Sequence, residues 1–268
     1  MKKFITLICL LCVFTLYGCG SSQNSVVETL PPVVEILPPT VEESPSDDQP
    51  ADEDEQEQRK RYYAVSAVNS LKVRSAPSGS STVLGYLDKK DAVVLVEKVG
   101  SYYKTVFKQK TAYVHADYCS IMEIEEDTAA VEKAIEVGCE LLGYPYVWGS
   151  QRYHWGNGKL NTAFVQGKFD CSALVQYIYY ISNQVVLDLT TRTQVNNGQA
   201  VSKQELKRGD LMFFTNESRQ NKTGTERIGH VAIYFGNNYI LHTASDHAVI
   251  EPISSTRWGY YITARRVA

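Results

Sequence analysis

Lysine, arginine and aromatic side chains are missing altogether from residues 20–58 of this 268-residue chain, where eleven acids and six of the nine prolines are gathered. Such a stretch cannot bury enough apolar surface to offset the entropy lost on ordering it. Residues 19–58 are therefore expected to be a disordered acidic tether, kept extended by self-repulsion and proline stiffness. A run long enough to span a membrane is also missing at the N-terminus. Phe4 to Tyr17 is uncharged and largely apolar, but it falls short of the roughly 20 residues a spanning helix needs. Metal-ligand spacing is lacking too. Once Cys9, Cys12 and Cys19 are assigned to the N-terminal segment, Cys119, Cys139 and Cys171 remain, and no Cys/His pattern among them suits a metal. No cofactor is called for, and no nucleic-acid partner is expected.

The N-terminus carries an address. Lys2 and Lys3 precede the apolar run, which has the length of the hydrophobic part of a signal peptide. Its end, Leu16-Tyr17-Gly18-Cys19, is similar to the lipobox of bacterial lipoproteins. That resemblance implies a signal peptide over 1–18, cleavage before Cys19 and lipidation of Cys19. Two or more acyl chains would then hold the protein on a membrane. The formal net charge of −3 hides +6 on residues 59–268. A weakly cationic body suits an anionic polymer, and an ordinary solvated surface is the alternative. Three cysteines outside the cell leave at least one free thiol.

Two folded domains are expected. Residues 62–124 offer short runs of β-formers: Leu71–Ser75, Val83–Leu87, Ala92–Val99, Tyr102–Phe107 and Thr111–Val114, with turns at 76–81, 89–91 and Gly100. Several short strands in about sixty residues predict a small barrel. The order Leu71-Lys-Val-Arg-Ser-Ala-Pro-Ser, Val83-Leu-Gly, Tyr102-Tyr-Lys and Ala112-Tyr-Val resembles the bacterial SH3 domain. That family binds cell-wall peptides or positions a partner domain. Residues 129–268 form the second domain. Apolar spacing predicts helices over 129–142 and 170–181, and strands at Leu211–Phe214, Val231–Phe235 and Tyr239–Thr243. Helices first and strands later predict an α+β fold with an antiparallel sheet.

Three residues of this domain suit one chemistry. Cys171 falls at the start of the second helix, where the helix dipole and free N–H groups should lower its pKa. His230 and His242 lie on consecutive strands around the turn at Gly236-Asn237-Asn238, so a hairpin can put both rings on one face. Cys171 would attack, His230 would take the thiol proton, and His242 would orient His230. A buried cysteine is more often packing, and a strand histidine more often a satisfied core or surface residue.

Longer motifs favour the chemical reading. Gly143-Tyr-Pro-Tyr-Val-Trp-Gly, Phe169-Asp-Cys-Ser-Ala-Leu-Val, Gly209-Asp-Leu-Met-Phe-Phe, Gly229-His-Val-Ala-Ile-Tyr-Phe-Gly-Asn and Ile240-Leu-His-Thr occur in the order of the NlpC/P60 cell-wall cysteine peptidases. The resemblance covers 129–268. It implies a papain-like α+β core, with Cys171 as nucleophile, His230 as base and His242 as the polar third residue. It also implies substrate contacts from Asp170, Ser172 and Thr191, and an oxyanion-facing hydroxyl at Tyr146. Four departures stand out: Ala173 for glycine, Ser150 for glycine, Asp188-Leu189 for Pro-Arg, and a polar stretch from Gln151 to Lys168 containing His154 and Trp155. That stretch either rims the cleft or is a neutral surface insertion. Cys119 and Cys139 read as core residues, with a disulfide between them as the alternative. His115 and His247 read as surface.

The function implied is hydrolysis of peptidoglycan stem peptides between γ-D-glutamate and the diamino acid. The expected partners are peptidoglycan or muropeptides and, through the lipid, a membrane facing the cell wall. The alternatives are a non-catalytic muropeptide-binding lipoprotein and an N-acetylmuramoyl-L-alanine amidase.

Overall fold

The computed structural model describes residues 59–244 and 246–268. The expected signal segment, Cys19 and the acidic stretch to residue 58 lie outside the described residues. Eight strands come first: β1 (Lys60–Ser66), β2 (Leu71–Arg74), β3 (Val83–Leu87), β4 (Ala92–Val94), β5 (Glu97–Val99), β6 (Tyr102–Phe107), β7 (Lys110–His115) and β8 (Cys119–Glu125). They form one sheet in the order β4-β1-β8 and another in the order β3-β2-β7-β6-β5. Val73, Leu87, Val93 and Val114 are buried in the barrel.

The run Ala92–Val99, expected as one strand, is two. At the break the Leu95 N–H donates to Tyr62 O at 2.9 Å and the Val96 N–H to Lys104 O at 2.9 Å. The chain leaves one sheet there and joins the other, turning the corner that two packed sheets require. Strands β1 and β8, which the local pattern passes over, pair across seven residues from Lys60↔Glu125 to Ser66↔Cys119.

Next come helices α1 (Ala129–Glu140), α2 (Cys171–Asn183) and α3 (Thr191–Gln194), then β9 (Gln199–Val201), β10 (Leu211–Phe214), β11 (His230–Gly236), β12 (Tyr239–Ala244), β13 (His247–Pro252), helix α4 (Ser255–Gly259) and β14 (Tyr261–Arg266). The strands build one antiparallel sheet in the order β13-β12-β11-β10-β14-β9. The expected α+β class with an antiparallel sheet is what the chain adopts. Helix α1 starts at Thr128, whose hydroxyl accepts the Val131 N–H at 3.3 Å. Helix α2 is apolar on nearly every side, with Leu174, Val175, Ile178 and Tyr179 fully covered. It is therefore a core helix, lying between α1 and strands β11 and β12. Among the described residues, no helix is long and apolar enough to cross a membrane.

The barrel and the second domain share one hydrophobic core. Gly143, at φ +83°, sits under the Phe107 ring, and a Cβ there would come within 2.1 Å of a ring carbon. The junction also holds a buried ion pair. Arg208 donates to Glu132 Oε1 at 2.7 Å and Oε2 at 3.1 Å, and to the Tyr63 hydroxyl at 2.6 Å. Its guanidinium also lies 4.5 Å from the centroid of the Phe235 ring. One cation thus ties β1, α1 and β11 together. Arg208→Met should cost about 3–5 kcal/mol, because it leaves the Glu132 carboxylate buried and unpaired. The double change Arg208→Met with Glu132→Leu should recover most of that loss. Urea unfolding of the single and double variants checks both numbers.

Candidate active site

The site begins at a helix cap. Asp170 precedes α2 in extended conformation, and its Oδ1 accepts the Ala173 N–H at 2.8 Å and the Ser172 hydroxyl at 3.0 Å. Its Oδ2 accepts the Gly149 N–H at 3.1 Å and Arg152 Nη1 at 3.0 Å. Arg152 also donates from Nη2 to Ser172 Oγ at 2.9 Å and from Nε to Leu189 O at 2.6 Å. Asp170 and Ser172 are therefore bonded within the protein. The cation that reaches them comes from the Gln151–Lys168 stretch. Reading the sequence did not single out Arg152, because nothing local separates one arginine in a polar stretch from a solvated one. The bond to Leu189 O places the Arg152 guanidinium beside the position where the family pattern has Pro-Arg.

Cys171 is the first residue of α2 and is buried. Burial pushes its thiol up to about 11, and the nearby Asp170 charge adds to the rise. Backbone hydrogen bonds from Val231 and Ser172 and the charge of Arg152 oppose it without overcoming it. This corrects the expectation of a depressed thiol pKa. The helix start does favour the thiolate, but loss of hydration outweighs it, so the resting group is a thiol.

The hairpin of β11 and β12 turns at Asn237 and Asn238, both left-handed at φ 48° and 63°. With Ile233 opposite Leu241, His230 and His242 fall on the same face. His230 Nε2 lies 2.9 Å from His242 Nδ1, and the rings meet edge to face at 78°. Beyond them, His242 Nε2 lies 2.9 Å from Glu251 Oε1, which also accepts Arg257 Nη2 at 3.0 Å. Burial lowers the pKa of His230 well below 6.5, and the charges of His242 and Arg257 lower it further. Burial also lowers His242, against the pull of Glu251. Both rings are therefore neutral at neutral pH. Neither Glu251 nor Arg257 was singled out from the sequence, since each is a charged residue outside any motif.

Two cavities meet at Cys171. One, of about 370 Å³, is lined by His230, Phe214, Thr215, Thr256 and Arg257. The other, of about 390 Å³, is lined by Arg152, Asp170, Ser172, Thr191, Arg192 and Arg219. Tyr146, Cys171, Asn216 and Gly229 border both. A Cβ on Gly229 would come within 2.4 Å of the Asn216 amide nitrogen, so that side chain would have to shift. Burial and the neighbouring Cys171 raise the Tyr146 phenol, so it stays a hydrogen-bond donor. All seven residues expected at the site line this cleft or hold another that does. The Gln151–Lys168 stretch is a packed segment. Tyr153 meets Phe164 and Tyr177 edge to face and Tyr180 at a tilt, while Trp155 of the same stretch is 53% exposed. Cys119 and Cys139 are free thiols. His247, expected on the surface, is partly buried 2.9 Å from Asp246 and lines a different cavity, against the barrel.

A thiol on a core helix, lining one cavity with a neutral imidazole that a second ring holds in place, can attack an acyl carbon. The fold is α+β, and its cleft brings together a thiol and an imidazole. Residues 143–267 match the model of the NlpC/P60 family and residues 69–120 that of the bacterial SH3 domain. It is 33% identical over 144 residues to the peptidoglycan DL-endopeptidase CwlO of Bacillus licheniformis, covering 53% of this chain and 29% of that one. It is 32% identical over 142 residues to the gamma-D-glutamyl-L-lysine dipeptidyl-peptidase of Bacillus cereus, covering 52% and 37%. The chain thus spans about a third of the length of these relatives. A solved NlpC/P60 family protein from Bacillus cereus is 24% identical, with a TM-score of 0.41 and coverage of 77% of this chain and 63% of that one.

With the thiol near 11, alkylation of Cys171 by iodoacetamide should be slow at pH 7 and rise about tenfold per pH unit up to pH 10. Peptide mapping by mass spectrometry separates Cys171 from Cys119 and Cys139. A rate already on a plateau at pH 6 would show a thiolate–imidazolium pair instead.

Proposed function

We propose that this chain is a cysteine peptidase that hydrolyses peptidoglycan stem peptides, cutting between γ-D-glutamate and the diamino acid. The observation that carries the reading is the placement of Cys171 and His230 on one cavity, with His230 bonded to His242. The NlpC/P60 match over the same residues and the printed activities of the two relatives support the substrate class and the bond.

In this reading His230 takes the Cys171 proton as the sulfur attacks the amide carbon. The developing oxyanion is met by the Tyr146 hydroxyl and a backbone N–H at the start of α2. The His230 imidazolium then gives its proton to the leaving amine. Water, activated by the same ring, releases the γ-glutamyl acid from the thioester. The cavity on the α3 side brings Arg152, Arg192 and Arg219 together, which suits the free carboxylate of the glutamyl residue. Asp170, Ser172 and Thr191 shape that wall.

The organisation we propose is a signal peptide over 1–18, a lipidated Cys19, a tether over 19–58, the barrel over 62–124 and the peptidase domain over 129–268. The protein would be exported and lipid-anchored, facing the cell wall. The lipobox-like Leu16-Tyr17-Gly18-Cys19 supports the anchor. A second reading is a muropeptide-binding protein without turnover, favoured by Asp188-Leu189 in place of Pro-Arg and by the Gln151–Lys168 insertion whose Arg152 reaches Leu189 O.

Incubating the full chain in mild detergent with peptidoglycan and with free muropeptides, and weighing the products, separates the two readings. Fragments split after γ-D-glutamate should appear with the unsubstituted protein. They should fall by about 10³-fold or more with Cys171→Ala or His230→Gln, and by about 10²-fold with His242→Ala. Binding without cutting by both the unsubstituted and the Cys171→Ala protein would establish the second reading. Arg152→Leu should raise KM for muropeptides about tenfold, because it removes the cation nearest Ser172.

A further inference from the structure

We propose that Glu251 is a positioning residue: by holding the ring proton of His242 on Nε2, it fixes the tautomers of both histidines and leaves His230 Nδ1 as the free base of the site. The argument follows the donors and acceptors. The bonds of His242 and Arg257 to Glu251 outweigh its burial and hold the carboxyl below its usual 4.5. It is therefore ionised at neutral pH and can only accept. Arg257 Nη2 donates to Oε1 at 3.0 Å, and His242 Nε2 reaches the same oxygen at 2.9 Å. His242 Nε2 must then carry a hydrogen. Because the ring is neutral, its Nδ1 is bare and accepts. The group 2.9 Å from that Nδ1 is His230 Nε2, which must donate. A neutral His230 with its proton on Nε2 has a lone pair on Nδ1, the nitrogen not engaged by His242. His230 and Cys171 line the same cavity.

The chain of bonds has one orientation because its far end is a carboxylate. A side chain at position 251 that donated to His242 and offered it no acceptor would reverse it. His242 would then carry its proton on Nδ1, and His230 Nε2 would have to accept, placing the His230 proton on Nδ1 and blocking the base. Arg257 keeps the carboxylate in place, so β13 and α4 set the protonation state of rings on β11 and β12. The charged or titratable groups around this chain are Cys171 from α2, Arg257 from α4, His247 from β13, and Asp91 from the turn before β4. Burial raises Asp91 to about 6, and the charge of Glu251 adds to the rise. The importance of Glu251 for turnover rests on the peptidase reading above. The tautomer assignment does not.

The test is ¹⁵N NMR of the full chain with labelled histidine at pH 7.5, read beside muropeptide kinetics. In the unsubstituted protein both buried rings should be in the Nε2–H form. Glu251→Leu should move His242, and with it His230, away from that form. It should lower kcat by at least about tenfold with KM within about twofold. Glu251→Gln keeps an oxygen that accepts from His242 and Arg257. It should restore the tautomers and most of the rate, while the imidazole limb of the pH profile moves to lower pH because the carboxylate no longer favours the imidazolium. A His242 proton on Nδ1 in the unsubstituted protein overturns the proposal, and this holds even where Glu251→Leu does not fold. Unchanged tautomers in a folded Glu251→Leu protein, or a Gln variant as slow as the Leu variant, also overturn it. A protein that never cuts muropeptides but shows both Nε2–H rings loses the peptidase reading and keeps the tautomer assignment.

Discussion

The Asp170 carboxylate is the point on which the site depends. It is almost wholly buried and accepts four hydrogen bonds, one of them from a guanidinium. A buried anion is tolerated only when its lone pairs are met in this way, and these partners come from three segments around the cleft: the start of α2, Gly149 and Arg152. The Ala173 N–H starts the helix that carries the thiol. The Gly149 N–H holds the chain leading away from Tyr146. The Arg152 guanidinium brings in the Gln151–Lys168 stretch and reaches on to Leu189 O, ahead of α3. One side chain therefore sets where the helix begins, where the aromatic wall stands and which cation faces the cleft.

The barrel contributes to the same walls from behind. Phe107 covers Gly143, and from there the chain runs directly into Tyr146. The Gly143 N–H donates to Ala248 O, and the Tyr146 N–H to Asp246 O, so the segment is fastened to β13 as it passes. Arg208, anchored by Glu132 and Tyr63, holds the opposite side of the junction through Phe235 O. Barrel, helix and sheet are packed as one core, and the segment carrying Tyr146 has little freedom to drift from the thiol.

Electrostatically the site keeps its charges at the edges. The thiol and both imidazoles are neutral because burial disfavours their charged forms. The ionised groups, Asp170 with Arg152 and Glu251 with Arg257, stand one on each side of that neutral centre. Each fixes the direction of the hydrogen bonds that lead to the reacting atoms.

What the sequence determined by itself is what local pattern encodes. Alternation and turn residues mark β2, β3, β6 and β7, and three-to-four spacing marks α1 and α2. The hairpin turn at Asn237-Asn238 and the helix start at Cys171 place a thiol and two rings in elements that can meet. Short motifs name Cys171, His230 and His242 because their chemistry is written into neighbouring residues. What tertiary structure decided lies between distant residues. The β1–β8 pairing joins positions about sixty apart. The corner at Leu95 and Val96 exists only because two sheets compete for one run. Arg152, Glu251 and Arg257 are ordinary charged residues until folding removes the water around them. The pKa of Cys171 depends on the same desolvation, which overrode the helix-dipole argument. Burial is a property of the packed chain, so no window of sequence could have supplied it.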